Sequence, residues 1–247
     1  MSQPPLERRR YTHLFGLIVA LLFAGCADTN KSGADSDDNE PETIIAPALE
    51  DEPRKLRPSE LRKALGMGNK GVIQEKRGKI RIVDISNTRV RDLSPLKGVP
   101  LEFLNMSGLP ISDISVLEGM PLERLLMDET QVEDLSVLKG MSLEYLGLKG
   151  TSVADLDVLK GMPLQSLYAE ETKVVDISAL EGMPLRELYL TDTQVSDISS
   201  LKDMPLQLLN LIGTKVTDLS VIKTLSLNIL WLRKTGVKDL SPLSGST

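Results

Sequence analysis

The chain has 247 residues, of which 41% are hydrophobic, 26% charged and only 3% aromatic. This composition excludes a collagen, a pure linker and a multi-span membrane protein, and the length allows one or two domains. The net charge is −6, and the largest block, residues 80–247, is acidic, with 23 acids against 16 bases. Such a balance disfavours a nucleic-acid partner.

The single Cys, Cys26, rules out an intramolecular disulfide, and the single His, His13, excludes most metal and triad chemistry.

Residues 1–26 have the layout of an export signal. Three arginines, Arg8 to Arg10, precede an apolar run over residues 11–25, and Cys26 follows at once. That run is too short to cross a hydrocarbon core about 30 Å thick, which takes roughly 20 helical residues. Phe23-Ala24-Gly25-Cys26 resembles a bacterial lipobox, which implies that Cys26 is lipidated and becomes the mature N-terminus in the cell envelope, facing the periplasm or the outside. A cleaved secretory signal with an incidental Cys is the alternative, and a twin-Arg signal fits the residues only loosely.

Processing at Cys26 would remove most candidates for catalysis. His13 would leave with the signal, so the mature chain would hold no histidine and no free thiol. A general base near neutral pH, a nucleophile or a zinc site then lacks its usual side chain. We therefore expect no enzyme activity, no catalytic residue, no metal and no cofactor.

Two segments of opposite charge precede the rest of the chain. Residues 27–52 carry nine acids and one Lys, show no periodicity and are predicted to be a disordered tether. Residues 53–79 carry nine bases and two acids, with helix formers between Pro58 and Gly66 and a short strand predicted at Val72 and Ile73. Contact with anionic lipid or with the acidic tether is one interpretation of this basic segment. An N-terminal helical cap is the favoured one, because a solenoid needs a polar-faced unit over its first coil.

Residues 80–247 consist of eight consecutive units of 21 residues, which begin at Ile80 and then at Leu101, with no insertion up to Thr247. The units follow the Leu-x-x-Leu-x-Leu pattern of leucine-rich repeats, which is plainest in LRELYLTDTQVSDISSLKDMP from Leu185. The units resemble the short bacterial leucine-rich repeats of internalins. The fold class that follows is an α/β solenoid, a leucine-rich repeat horseshoe.

The positions of the unit predict its local structure. Positions four and six are apolar and point inward on a strand, while positions three, five and seven point outward on a concave parallel sheet. We call these outward positions the concave rows. About seven residues remain for the return path, which is too few for a helix, so 3₁₀ turns are expected on the convex side.

Two polar columns accompany this pattern. Asp fills position thirteen of every unit, and Ser fills position fifteen of seven units. A calcium site is one interpretation of the Asp column, but acceptance of backbone N–H bonds is favoured, with Ser as the N-cap of each turn. Thr at position nine of seven units is predicted to form a hydroxyl ladder rather than to act as a nucleophile.

The units differ from one another mainly in the concave rows. All five aromatic residues after the signal lie in these rows, as expected for interface anchors, although stacking along the sheet is an alternative. Acidic side chains beside them favour a ligand carrying Lys or Arg. The predicted protein-binding residues are Phe103, Arg124, Leu126, Asp128, Tyr145, Lys149, Tyr168, Glu170, Glu187, Tyr189, Leu208, Ile229, Trp231 and Arg233.

Two functions of different class follow from this pattern. The first is a lipid-anchored module that binds a protein or peptide, with basic residues, on the concave face. The second is a structural envelope protein that self-associates through its last coil, where Leu208, Ile212, Ile229 and Trp231 form an apolar patch.

Overall fold

The structure is a computed structural model, and it describes residues 56–244. The predicted signal with Cys26 and the predicted tether, residues 27–52, lie outside the described residues. Helix α1 spans Pro58–Ala64, and β1, Val72–Lys76, pairs antiparallel with β2, Lys79–Asp84. Gly66, at φ 64°, follows the helix in the left-handed conformation that commonly ends one. The helix and the strand predicted within residues 53–79 are therefore confirmed.

The repeats build one sheet of nine strands in sequence order, β1 to β9, which does not close on itself. From β2 onward the strands pair parallel, and from β3 onward each strand occupies positions three to five of its unit. The seven further strands are β3 Phe103–Asn105, β4 Arg124–Leu126, β5 Tyr145–Gly147, β6 Ser166–Tyr168, β7 Glu187–Tyr189, β8 Leu208–Asn210 and β9 Ile229–Trp231. The leucine-rich repeat solenoid predicted from the 21-residue period is confirmed.

Each unit returns through a short 3₁₀ turn, as predicted. The eight turns span Ser94–Leu96, Ser115–Leu117, Ser136–Leu138, Asp157–Leu159, Ser178–Leu180, Ser199–Leu201, Ser220–Thr224 and Ser241–Leu243. The seventh is two residues longer than the others. Its unit has Thr224 at position nineteen, where five units place Gly at φ 69–75° and the sixth places Asp203 at φ 59°. Without a residue in the left-handed conformation, the 3₁₀ turn continues to that position.

The core is one continuous column of apolar side chains. The residues at position four, from Val83 to Leu209, are fully buried, and Leu230 in the last unit is partly buried. The methionines near the end of five units are 2–8% exposed and also belong to this core. No single coil could bury this face alone, and each coil is therefore stabilised by its neighbours.

The Asp column stabilises the start of each 3₁₀ turn. In all eight units the Asp Oδ1 accepts the backbone N–H two residues later, at 2.7–2.8 Å. The backbone role predicted for these carboxylates is confirmed. The prediction of Ser as N-cap was wrong by one position: Leu93 is the N-cap of the first turn, and Ser94 is its first residue. The N–H groups that a Ser94 cap would accept, those of Leu96 and Lys97, donate instead to the backbone carbonyl oxygens of Leu93 and Ser94.

The Thr residues at position nine act within their own coils. Each hydroxyl donates to the carbonyl oxygen three residues earlier, at 2.6–2.8 Å, as Thr193 does to Leu190. These hydroxyls therefore have a structural role, as the predicted ladder implied, and each one bonds within its own coil. Each hydroxyl stabilises the turn that follows the strand of its own unit. At Thr193 the Leu190 oxygen accepts both the hydroxyl, at 2.8 Å, and the backbone N–H, at 3.2 Å.

Candidate functional site

The concave rows contain a stack of aromatic rings. Tyr145 and Tyr168 lie with ring centroids 4.9 Å apart, and Tyr168 and Tyr189 lie 4.5 Å apart with planes only 13° from parallel. Parallel pairing places Tyr168 directly beside Tyr189, while Tyr145 comes from the neighbouring row of β5. The 21-residue register therefore brings these rings together without any further loop.

The middle ring of this stack is buried. Tyr168 is only 5% exposed, whereas Tyr145 and Tyr189 on either side are half-buried. Tyr168 has this low exposure although position five was predicted to point outward, because the two flanking rings stack on it. The stacking alternative raised from the sequence therefore holds for Tyr168, and its neighbours present the accessible ring surface.

Trp231 extends the aromatic surface toward the last coil. Its ring lies 6.1 Å from that of Tyr189 and is tilted by 54°, although Asn210 of β8 separates the two residues in the row. Asn210 is 7% exposed, and its Oδ1 accepts the N–H of Ile212. Ile229 is 41% exposed, and Leu208 is half-buried. Leu208, Ile212, Ile229 and Trp231 thus leave an apolar patch beside the stack.

Carboxylates surround the tyrosine hydroxyls. The Tyr168 hydroxyl donates to Glu187 Oε2 at 2.8 Å, which fixes the carboxylate beside the rings. Burial raises the pKa of Tyr145 well above its usual value, and the charges of Asp128, Glu187 and Glu170 raise it further. Burial likewise raises the pKa of Tyr189 to about 12, with Glu187 and Glu170 adding to the effect. The carboxylates of Asp128, Glu170 and Glu187 therefore lie near the aromatic stack.

Asp128 lies against a gap that Gly147 leaves. A Cβ at position 147 would stand 2.7 Å from Asp128 Oδ1, so the carboxylate occupies the space of the missing side chain. The backbone N–H of Lys149 donates to Asp128 Oδ1 at 3.0 Å. Burial nevertheless dominates and raises the pKa of Asp128 to about 6. The gap at Gly147 thus accommodates an acidic neighbour from the preceding unit.

The remaining predicted site residues flank this centre. Glu170 is buried at 4% exposure, and Arg124 and Leu126 of β4 are half-buried. The Nζ atom of Lys149 lies 3.4 Å from Oε1 of Glu171 in an ion pair. Phe103 on β3 has no ring contact among the described residues, and Arg233 is exposed on the last coil. The fold brings together the residues from Asp128 to Trp231, while Phe103 and Arg233 lie at its two ends.

One feature beside the site was not predicted. Glu129, Glu171 and Asp192 follow the third concave row at φ 54–56°, in the left-handed region, where three other units place Gly. Such a conformation costs a residue with a Cβ roughly 1 kcal/mol or more. Glycine at the same position in units two, four and seven was the available sequence signal. Acidic side chains are therefore held in a strained conformation along the edge of the concave face.

Within residues 56–244 no group of three or more His, Cys, Asp or Glu side chains is arranged to hold a metal ion. The same residues contain no helix long and apolar enough to span a membrane. Cys26, the predicted lipidation site, falls outside the described part of the chain.

Comparison with known proteins identifies the fold but not a family. No known protein-family profile and no curated relative matches the chain. Among solved structures, internalin InlF of Listeria monocytogenes is 25% identical, with a TM-score of 0.59, over 66% of this chain and 57% of that one. Internalin C2 of the same organism is 22% identical, with a TM-score of 0.66, over 76% and 87%.

A third similar structure is that of PEPR1–AtPEP1, which is 18% identical with a TM-score of 0.54. It is matched over 65% of this chain and 26% of that one. The chain therefore spans only part of the length of two of these three structures. Together with the nine-stranded sheet and its 3₁₀ turns, the comparisons show that the chain has the internalin-type leucine-rich repeat fold.

Proposed function

We propose that the chain is a non-enzymatic module of the bacterial cell envelope that is lipid-anchored at Cys26 and binds a protein or peptide on its concave face. The observation that carries the proposal is the stack of Tyr145, Tyr168 and Tyr189, with Trp231 beside it. Five aromatic residues are available after the signal, and four of them form one continuous series of ring contacts in the concave rows, with Tyr168 buried inside it. Aromatic side chains gathered at one surface are typical of binding hot spots.

The charges around this surface favour a basic ligand. Asp128, Glu170 and Glu187 lie close enough to the tyrosines to influence their titration, and Glu187 is held by the Tyr168 hydroxyl. A Lys or Arg side chain over these rings would gain both ion-pair and cation–π attraction. In this proposal Tyr145, Tyr189, Trp231 and Glu187 contact the partner, and the buried Tyr168 positions them.

Known similar structures support a binding role in general terms. The PEPR1–AtPEP1 structure contains a leucine-rich repeat protein together with a second component. Leucine-rich repeats serve many partners, so the site of this chain, rather than its fold, has to identify the ligand class.

Affinity capture from the native envelope tests the concave site. The bait is the Cys26→Ser chain. The test variant adds Tyr189→Ala and Trp231→Ala to this bait. The control variant adds Val175→Ala, which changes an exposed side chain outside the concave rows. We expect the bait and the Val175 variant to retain the same partner, and the double variant to lose at least about 2 kcal/mol, roughly thirtyfold in affinity. Equal retention by all three folded baits would place the binding surface elsewhere.

Detergent partitioning tests the anchor separately. The wild-type chain should enter the detergent phase and carry an acyl mass on Cys26, and the Cys26→Ser chain should not. A wild-type protein that stays in the aqueous phase without an acyl group would contradict the anchor, whatever the capture experiment shows.

Self-association is a second candidate function, favoured by the last coil. Leu230 and Leu232 are only partly buried, whereas the corresponding Leu209 and Leu211 one unit earlier are fully buried, and Leu240 is 58% exposed. A second copy stacked on this coil would cover these side chains. Light scattering of residues 53–247, one compact unit, discriminates between the two functions, since a monomer at micromolar concentration would argue against self-association.

A further inference from the structure

The N-terminal end of the solenoid is strongly basic. Residues 56–97 hold eleven Lys and Arg against four Asp and Glu, a net charge of +7, whereas residues 98–244 hold twelve bases and 21 acids, a net charge of −9. Three of the four acids at this end are engaged locally: Glu60 accepts the N–H of Arg57, Asp84 that of Ser86, and Asp92 that of Ser94. The domain is therefore electrically polarised along its axis.

Few of these cations stabilise the cap itself. Arg62 donates to the carbonyl oxygens of Gly68, Lys70 and Gly71, which closes the loop after α1. Lys76 and Arg81 share Glu102 in ion pairs of 3.1 and 3.7 Å. The others are exposed and form no ion pair with any described residue. We define the basic end by six of them: Lys63, Lys70, Arg77, Lys79, Arg89 and Arg91.

Arg77 occupies a position where the fold would prefer another residue. Arg77 and Gly78, at φ 53° and 70°, form the turn of the β1–β2 hairpin. Two consecutive positive φ values are typical of a type I′ turn, in which Asn, Asp or Gly is favoured at the first central position. An arginine here is less stable in the turn than Asn, Asp or Gly would be, and it places a cation at the tip of the hairpin, beside Lys79. The conformation of the turn therefore does not account for the charge at this tip.

We propose that the basic end binds the anionic headgroups of a phospholipid leaflet. The inference rests on the proposed lipid anchor. The basic end is the first described part of the chain after Cys26, so the anchor would hold it near a leaflet. Each Lys or Arg near an anionic leaflet contributes about fivefold to the partition coefficient, and the attraction decays within a Debye length of about 10 Å at 0.1 M salt. Exposed cations around one end of a solenoid would orient its concave face relative to the membrane.

Vesicle flotation of the full-length Cys26→Ser chain tests the proposal without any contribution from an acyl group. Vesicles of phosphatidylcholine alone are compared with vesicles containing 30% phosphatidylglycerol, at 50 and 300 mM NaCl. We expect binding that requires phosphatidylglycerol and weakens at high salt. The double variant Arg77→Asn with Lys79→Gln should lose about 25-fold in partition coefficient, since two cations are removed.

The opposite end of the solenoid provides a matched control. Lys234 also adopts a left-handed conformation, at φ 59°, and Lys238 is exposed nearby in the sequence. Lys234→Asn with Lys238→Gln therefore removes the same number of charges, and it too replaces one residue at positive φ by Asn. We expect this variant to change the partition coefficient by less than twofold. Because Asn suits both turns, neither variant should melt below the parent chain, so a loss of binding cannot be attributed to unfolding.

Three results would overturn the assignment. The first is equal flotation on both kinds of vesicle, and the second is an equal loss in the two double variants. The third is retention on a single-stranded DNA oligonucleotide without enrichment on anionic vesicles, which would assign the surface to nucleic acid instead. The detergent partitioning of the wild type reports on the anchor independently, so failure of one proposal is distinguishable from failure of the other.

Discussion

At the scale of single residues, Asp128 makes stability depend on pH in an unusual direction. Burial raises its pKa in the folded chain to about 6, above the ordinary value of 3.8. Between these two values the folded state binds more protons than the unfolded state, so stability falls as the pH rises through this window. The difference between these two pKa values corresponds to a penalty of at most about 3 kcal/mol in the free energy of unfolding above pH 6.

The substitution Asp128→Asn should remove this penalty. An amide oxygen can still accept the N–H of Lys149, so the local geometry has a replacement for the carboxylate. We expect the variant to melt above the wild type at pH 7.5, and the difference to shrink as the pH falls toward 4. Paired thermal melts across this range measure the difference. A constant difference at every pH would mean that Asp128 does not titrate in this window.

The Asp column acts in the opposite sense at lower pH. The backbone N–H and hydroxyl of Ser178 hold the pKa of Asp176 below its usual value, and Ser94 does the same for Asp92. Stability from such carboxylates is present above the unfolded pKa and is lost as the pH falls through the lowered one. Because these residues are common to the wild type and the Asp128→Asn variant, their contribution cancels in the comparison.

A single member of the column can be tested for metal binding. Asp155 accepts the N–H of Asp157 at 2.7 Å, and its replacement by Ala should lower the free energy of unfolding by about 1 kcal/mol, as for a lost cap. Calcium at millimolar concentration should leave the melting temperature of the wild type unchanged. A rise of several degrees that disappears in Asp155→Ala would instead identify the column as a calcium site.

At the scale of one strand, stability and recognition separate by side-chain position. Leu188 is fully buried, and Leu188→Ala should cost roughly 2–5 kcal/mol through lost burial and a cavity. Tyr189, the next residue, lies at the end of the tyrosine stack, and Tyr189→Ala should cost only about 1 kcal/mol. Urea unfolding of the two variants measures both values. Equal losses would show that the concave rings belong to the core.

The position of a ring within the stack also matters for stability. Tyr168 packs between two rings and donates to Glu187, so Tyr168→Ala should destabilise the domain more than Tyr189→Ala does. Tyr168→Phe keeps the packing and removes only the hydroxyl, and it serves as the control. The same urea experiment ranks the three variants, and an equal cost for both alanine substitutions would mean that the stack does not act as one unit.

The sequence predicted the elements better than the details of their surfaces. A fixed period determines which residues pair, so the strands, the 3₁₀ turns and the buried column at position four followed from spacing alone. The burial of Tyr168 did not, because it depends on the rotamers of the neighbouring Tyr145 and Tyr189. The orientation of the Thr193 hydroxyl likewise depends on which carbonyl lies nearest in the folded turn, and spacing does not encode that.

At the scale of the whole molecule, the solenoid should open from its ends. Each inner coil packs between two neighbours, whereas the last coil contacts a single one among the described residues, and Leu230 there is only partly buried. Stability in such arrays is approximately a sum of unit and interface contributions. Amide hydrogen exchange should therefore be faster in β9 than in β6. Uniform protection of both strands would indicate that the last coil is covered in solution.

The unbroken register has a genetic consequence as well. Recombination that deletes or duplicates a multiple of 21 codons joins equivalent positions, so every strand still finds its partner and every Asp its amide. Each unit of 21 codons gained or lost changes the length of the concave surface by one strand spacing, about 4.8 Å. It also changes the order of the side chains on that surface. Unequal crossing-over can thus produce new recognition surfaces in single steps while the interior continues to fold by the same rules.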